Sequence, residues 1–431
     1  MFSFCFYLLA LLLLLPRRLV SLPSSASDDK LSIVFVYLLV NTNCEEVHIP
    51  LYIWSTLNQT VNYQTPDCEV YFITDISHCS HTRSAATLFG TRLRLIDLDT
   101  IITPKTKQFR IGMHRALSSA DGNLYTTSAL RFFVLEDFMI YFKVPFALHV
   151  ESDNLLFGPM RKILPSLRQY YPALVATPLA RNQHTMTACV LWINNLSSVS
   201  NFNAFLMNYT SPNSTQFAEL HSWAAMHHEY KCRILTEDRC LHLNGTGVKR
   251  YFFNEMTFLA HYQRTQPGRL LNLPLLPHIA VSDETQEWGM AEFGMCGQLV
   301  NGDTFGGVWD GAGWGQNIGG IPRNRNGIAK DVYVPIRNSK GTYADKGAVI
   351  GAAIVFGGCS VRYKCAGLNF TVPGSSPPIC LTAPYISCIS SIEANASVPL
   401  FNLHMHSKLT NEFQSQPCSC GINGDAEPTL Y

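Results

Sequence analysis

Leu31-Ser32-Ile33-Val34-Phe35-Val36-Tyr37-Leu38-Leu39 is an apolar run of strand length with no polar face. A strand with one face in water alternates apolar and polar residues, so a run without alternation must be covered on both sides. The residues that follow supply cover. A helix is expected over Val47 to Leu57, a second strand over Glu69 to Asp75, and a third around Leu93 to Leu98. Leu124 to Lys143 places Leu130, Phe133, Val134 and Phe138 at helical spacing and stops before Pro145. Phe146 to Val150 is then a short buried strand. Strands alternating with helices predict an α/β layer architecture around a mostly parallel, Rossmann-like sheet. Further on, 331–397 holds four cysteines among many Gly, Val and Pro, and reads as a β-rich, disulfide-containing insertion.

The compartment is read from three signals. Phe2 to Leu15 is almost uninterruptedly apolar and precedes Pro16, Arg17 and Arg18. It falls short of the roughly 20 residues that span a bilayer and suits a signal peptide, with Ser24-Ser25-Ala26 as a cleavage site. The arginines lie on the unusual side, so a short uncleaved signal anchor is the alternative, and the only membrane contact expected. Seven glycosylation sequons begin at Asn58, Asn195, Asn208, Asn213, Asn244, Asn369 and Asn395. Of 14 cysteines, Cys5 lies in the leader, and the other 13 fit no tight zinc pattern. Disulfides are therefore the default, with Cys232–Cys240 and Cys359–Cys365 as short-loop candidates. Together these place the chain in the lumen of the ER or Golgi, or outside the cell. A net charge of +1, with no basic run, excludes nucleic acid as a partner.

Three segments carry chemistry. Glu151-Ser152-Asp153 follows the Phe146–Val150 strand, at the end where open α/β sheets bind ligands. Two carboxylates two residues apart suit a hard cation, Mn²⁺ or Mg²⁺, which bridges a diphosphate and stabilises a leaving group. Asn402-Leu403-His404-Met405-His406-Ser407-Lys408 points His404 and His406 to one face if extended. Either histidine would complete a metal shell, and Lys408 would neutralise a phosphate; surface histidines on an edge strand are the plainer account. Val308 to Gly320 fails strict GxGxxG spacing. It reads as a loop that brings Asp310, Gln316 and the indoles of Trp309 and Trp314 to a saccharide. The competing account is a tight glycine turn with tryptophans in the core. His221, His227 and His228 lack the HExxH spacing of a zinc site, and no GxSxG or P-loop motif is present.

These segments together resemble a GT-A glycosyltransferase family found widely in microbial eukaryotes. The matching pieces are Ile33-Val34-Phe35-Val36, Arg131-Phe132-Phe133-Val134-Leu135 and His149-Val150-Glu151-Ser152-Asp153-Asn154. Trp309-Asp310-Gly311-Ala312 with Gly315 to Gly320, and Asn402 to Lys408, complete them. The resemblance covers residues 31 to 330 and 398 to 413. With the leader, the chain divides into a signal peptide or anchor at 1–26, a GT-A core at 27–330, the cysteine-containing insertion at 331–397, which has no counterpart in the family, and, as the resemblance implies, a metal- and phosphate-binding tail at 398–431. The resemblance also implies a nucleotide-sugar donor and a glycan or glycoprotein acceptor. Asp153 would be the principal metal ligand, with Glu151, one methylene longer than the usual Asp, bound directly or through water. His404 or His406 would be the C-terminal ligand and Lys408 the phosphate contact. Asp310 would be general base if the reaction inverts, or orient the acceptor if it retains.

Two rivals share the residues: a lectin-like protein of the same fold, and a secreted glycosidase pairing Asp310 with Glu284, Glu287 or Glu292. Neither gives Glu151-Ser152-Asp153 and the His-x-His-Ser-Lys tail a joint purpose. Asp153→Asn is expected to abolish transfer while leaving the fold intact, checked by initial rates beside a thermal melt. Turnover near that of the wild type would remove the metal-site argument.

Overall fold

Alternate residues of β1 (Leu31–Tyr37) enter two different cores, which is why the run needs no polar face. Val34 and Val36 join one cluster, while Leu31, Ile33 and Phe35 join the other. The computed structural model describes residues 30–39, 42–116, 122–158, 160–171, 175–177, 188–210, 255–273, 309, 353–356, 359–367, 380–388, 397–399, 401–404 and 417–418.

The first part of the chain contributes β2 (Cys68–Thr74), β3 (Leu93–Asp97), β4 (Ala147–Val150), β5 (Asn154–Leu156), β6 (Val175–Thr177), β7 (Val190–Ile193) and β8 (Leu270–Asn272). All but β5 join β1 in one sheet, in the order β3-β2-β1-β4-β7-β6-β8. Within this sheet β7 runs against its neighbours β4 and β6, and the other pairings are parallel. The expected α/β fold with a mostly parallel sheet is what forms. Chain order reverses at β1, with β2 on one side and β4 on the other, and this is the switch point whose C-terminal edge opens a crevice.

Helices cover both faces. They are α1 (Leu51–Tyr63), α2 (Ser80–Thr87), α3 (Leu98–Ile101), α4 (Pro104–Ala116), α5 (Gly122–Phe142), α6 (Met160–Tyr170), α7 (Leu196–Thr210) and α8 (Glu255–Thr265). Ile53, Leu57 and Val61 of α1 pack with Ile163, Leu164 and Leu167 of α6 on one face. Phe109 of α4, Phe132 and Phe133 of α5, Phe202 of α7 and Phe258 of α8 fill the other. α1 starts later than expected because Pro50 disfavours helix in the residue before it, so the helix opens at Leu51 and runs to Tyr63. α5 ends as expected: Lys143 adopts φ 55°, and Val144 N–H closes back on Met139 O at 3.1 Å.

Charges buried in this layer are paired. Asp137 of α5 accepts from Thr103 N (3.0 Å), Thr103 Oγ1 (2.8 Å) and Thr106 Oγ1 (2.6 Å). It thereby caps the start of α4 from a neighbouring helix. Glu136 takes Lys105 Nζ at 2.8 Å and Asn203 Nδ2 at 2.6 Å. Asn195, a sequon residue, caps α7 through its Oδ1, which accepts from Ser198 N at 2.9 Å. Asn58 and Asn208, also sequon residues, are exposed. No helix among the described residues is long and apolar enough to cross a membrane.

Late in the chain, β9 (Ala353–Phe356), β10 (Cys359–Gly367), β11 (Cys380–Cys388) and β12 (Ser397–Pro399) form an antiparallel sheet, as the β-rich composition predicts. β13 (Asn402–His404) leaves it for β5, and β14 (Pro417–Cys418) returns to pair with β11.

The cysteine expectations need correction. Cys359 and Cys365 lie on one continuous strand, six residues and so roughly 20 Å apart, beyond the reach of a disulfide. Cys232 and Cys240 lie outside the described residues. Among the described residues a disulfide joins Cys44 and Cys79, with Cα atoms 5.4 Å apart. In the antiparallel sheet, Cys359 stands opposite Cys388 and Cys380 opposite Cys418. Non-reducing peptide mapping is expected to recover Cys44–Cys79, Cys359–Cys388 and Cys380–Cys418. Recovery of a Cys359–Cys365 loop peptide would refute that register.

Candidate functional site

β4 ends at Val150, and the chain turns at once. Asn154 N–H closes on Glu151 O at 3.0 Å, and Glu151 N–H donates to Cys189 O at 2.8 Å. Glu151, Ser152 and Asp153 therefore sit in a tight turn at the C-terminal end of a central strand, beside the switch point. Asp153 is buried.

The C-terminal tail comes back to this turn. β13 pairs antiparallel with β5, in the register Asn402↔Leu156, Leu403↔Leu155 and His404↔Asn154. Asn402 Nδ2 donates to Asn154 Oδ1 at 2.9 Å, and Asn154 Nδ2 donates to Cys189 O at 2.7 Å. Phe157 N–H and Gly158 N–H both donate to Phe401 O, at 2.8 and 3.0 Å. A Cβ on Gly158 would stand 2.6 Å from Phe401 Cδ1, so this approach requires glycine. His404 thus lies across from the residue that follows Asp153. His406, Lys408, Asp310, Trp314 and Gln316 fall outside the described residues.

Trp309 corrects one expectation. Its side chain is fully buried in the α1/α6 core and packs on Phe401, with ring centroids 5.1 Å apart. Its indole supports the tail instead of offering a face to a saccharide, as the core-tryptophan account had it.

Glu151 is engaged more tightly than expected. Arg131 of α5 donates through Nη1 to Glu151 Oε1, through Nη2 to Glu255 Oε1 at 2.8 Å, and through Nε to Ser128 O at 2.8 Å. The side chains of Arg131, Glu151 and Glu255 are 9%, 17% and 12% exposed, so water screens these charges little. Burial alone would lower the guanidinium's pKa, but Glu151 and Glu255 more than offset it and hold it above its usual range. Burial raises the pKa of the Glu255 carboxyl, and the neighbouring Glu151 adds to it, against the lowering pull of Arg131. Three carboxylates (Glu151, Asp153, Glu255) therefore face one guanidinium.

His149 adds no positive charge. A carbonyl only accepts, so its Nδ1 carries the proton given to Val34 O at 2.9 Å. Burial first, then Arg131, brings the imidazole pKa down to about 3. Tyr52, in the first turn of α1, is hydrogen-bonded to Ser152 and pushed up to about 12, by burial and then by Asp153. It is a neutral phenol at the rim of the turn.

Sequence reasoning named neither Arg131, Glu255 nor Tyr52 as site residues. For Arg131 a signal existed, since a lone arginine on the apolar stretch Ala129 to Leu135 needs an acidic partner. Glu255 had none, being 124 residues from Arg131.

At the same sheet edge, Asp75 follows β2 and accepts Leu39 N–H on both oxygens, at 3.0 and 2.9 Å. The Cys44–Cys79 disulfide links the same two loops, those after β1 and β2.

No family model matches the sequence, and no curated protein does. Among solved structures the chain is similar to mouse xyloside xylosyltransferase 1 in its apo form, at 11% identity and a TM-score of 0.36, covering 60% of this chain and 93% of that one. It is similar to the glycosyltransferase GlyE of Streptococcus pneumoniae at 14% identity and a TM-score of 0.29, covering 57% and 45%. A third likeness is to 4-diphosphocytidyl-2C-methyl-D-erythritol synthase of Anaerococcus prevotii, at 9% identity and a TM-score of 0.23, covering 44% and 80%.

Asp75 gives a pH test. Burial pushes its carboxyl up to about 6, above the value of about 4 in an unfolded chain. The folded protein therefore holds this proton more tightly, and the Asp75 contribution falls as pH rises from about 4 to about 6. Asp75→Asn is expected to gain most over the wild type above pH 7 and nothing below pH 4, read as urea midpoints across that range. A pH-independent difference would show that Asp75 titrates normally.

Proposed function

We propose that this protein transfers a sugar from a nucleotide-sugar donor to a glycan or glycoprotein acceptor, in the lumen of the ER or Golgi or after secretion, with Mn²⁺ or Mg²⁺ at Asp153. The observation that carries the reading is the return of the tail. β13 brings His404 into register opposite Asn154, so two segments about 250 residues apart meet at one turn. That turn lies at the switch point of the sheet, where α/β folds bind nucleotides.

The residues present fit a divalent cation. Glu151 and Asp153 bring two carboxylates to one turn at the end of β4, and carboxylate oxygen is the donor that Mn²⁺ and Mg²⁺ prefer. Asp153 would be the principal ligand. Glu151, with Oε1 engaged by Arg131, would contribute its other oxygen or a bound water. His404 or His406 would come from the tail. When bound, the metal would neutralise charge developing on the departing diphosphate.

The remaining roles belong to the chain. Lys408 would add a positive charge toward the phosphates, and Asp310 would take the acceptor's proton if the reaction inverts or orient the acceptor if it retains. Trp314 and Gln316 would contact the acceptor.

Nucleotide release from a panel of sugar nucleotides, with Mn²⁺ and then with a chelator, tests this directly. Release with one donor, lost on chelation, is the expected outcome. Silence across the panel from a folded protein that still binds glycans would point to a lectin-like protein. Release of sugar from a glycan without nucleotide or metal would point to a glycosidase.

A further inference from the structure

Three sequon asparagines lie among the described residues, Asn58, Asn195 and Asn208, and the candidate site uses none of them. They are held differently. Asn58 sits in the middle of α1, where its Oδ1 accepts from Asn62 Nδ2 at 3.0 Å. The hydroxyl of its sequon belongs to Thr60, which is fully buried and donates to Thr56 O at 3.1 Å. Asn208 lies within α7, whereas Asn195 stands where a loop becomes that helix.

At Asn195 the two ends of the side-chain amide have separate fates. Oδ1 accepts from Ser198 N at 2.9 Å, from Ser198 Oγ at 3.0 Å and from Ser197 Oγ at 2.6 Å. Nδ2 makes no hydrogen bond to a described residue and is not enclosed. Ser197, which supplies the sequon hydroxyl, is exposed, and so is Leu196 before it. An amide accepts through oxygen and donates through nitrogen, so the cap occupies one atom and leaves the other for chemistry.

Its place in the sheet fits as well. β7 runs against β4, and Ile193, two residues before Asn195, stands opposite Ala147, where β4 begins. Glu151 follows the other end of β4. A large substituent on Asn195 therefore lies at the edge of the sheet away from the candidate site.

We propose that Asn195 carries an N-linked oligosaccharide on Nδ2 while its Oδ1 goes on capping α7. The proposal rests on the lumenal reading of the chain. Nδ2 displaces the diphosphate of a lipid-linked oligosaccharide at the anomeric carbon. A C–N bond forms, the C–O bond to the diphosphate breaks with its electron pair on that oxygen, and one amide proton is released. The amide oxygen and its cap are untouched. Presenting the Asn58 sequon requires α1 to be unfolded, because its hydroxyl is buried. At Asn195 fraying of the first turn of α7 is enough.

The test is made on the full chain produced in a eukaryotic secretory host. Peptide-N-glycosidase F in heavy-oxygen water marks each occupied asparagine before peptide mapping, and label at residue 195 is expected. Ser197→Ala and Asn195→Asp are each expected to lose the mass of one glycan and to keep the cap. Asn195→Ala loses both, and is expected to melt about 2 °C below those two variants, the effect of a missing N-cap in a large chain. Residue 195 unlabelled beside other labelled sequons overturns the proposal and leaves the lumenal reading standing. Ser197→Ala and Asn195→Asp melting as low as Asn195→Ala overturns the double role. No label at any sequon overturns the proposal and the lumenal reading together.

Discussion

The centre of this protein depends on one buried side chain, the amide of Asn154. It gives a hydrogen to the carbonyl of Cys189 and takes one from the amide of Asn402. Three pieces of backbone are fixed by that exchange: the turn after β4, the approach to β7, and the returning tail. An aspartate could not donate to Cys189 O, and an apolar residue could do neither. Cys189 O would keep its bond from Glu151 N–H, but the bridge between the turn and the returning tail would be lost. Glu151 and Asp153 are held by this arrangement before any ligand arrives.

Around the amide, charge has been buried in amounts that a fold seeking only stability would avoid. Replacing a buried ion pair by apolar residues is often neutral or stabilising. Arg131, Glu151 and Glu255 nonetheless share one pocket, with neutral His149 and the phenol of Tyr52 at its margins. The layer beneath is treated differently. Glu136 and Asp137 serve local tasks, an ion pair with Lys105 and the cap of α4.

Much of the sheet was legible because its strands are apolar on both sides. Leu31 to Tyr37 and Cys68 to Thr74 carry their burial in their composition. Helix limits were less so: α1 begins at Leu51 because of Pro50, a local steric effect stronger than the apolar pattern around it. Glu151-Ser152-Asp153 and the tail histidines could be grouped in advance because their residue types suit one cation, and β13 brings His404 into register opposite Asn154. Sidedness was not readable. Trp309 sits in a glycine-rich stretch that reads equally as an open loop or a core turn, and only packing on Phe401 decides for the core. Strand register, which opposes Cys359 to Cys388, also leaves no trace in spacing along the chain. Glu255 was invisible for the same reason: its partner is far away, and a lone glutamate at a helix start is ordinary.

The seat of Phe401 has a consequence for how the protein is made. Phe401 and Leu403 are both buried, and Phe401 lies in the core between α1 and α6, helices that are both synthesised long before it. Until residue 403 has left the ribosome, the nascent chain carries a hole on that face of its sheet and an unpaired edge on β5. The first half cannot settle as a finished unit during translation. That core is completed only once Phe401 has been added.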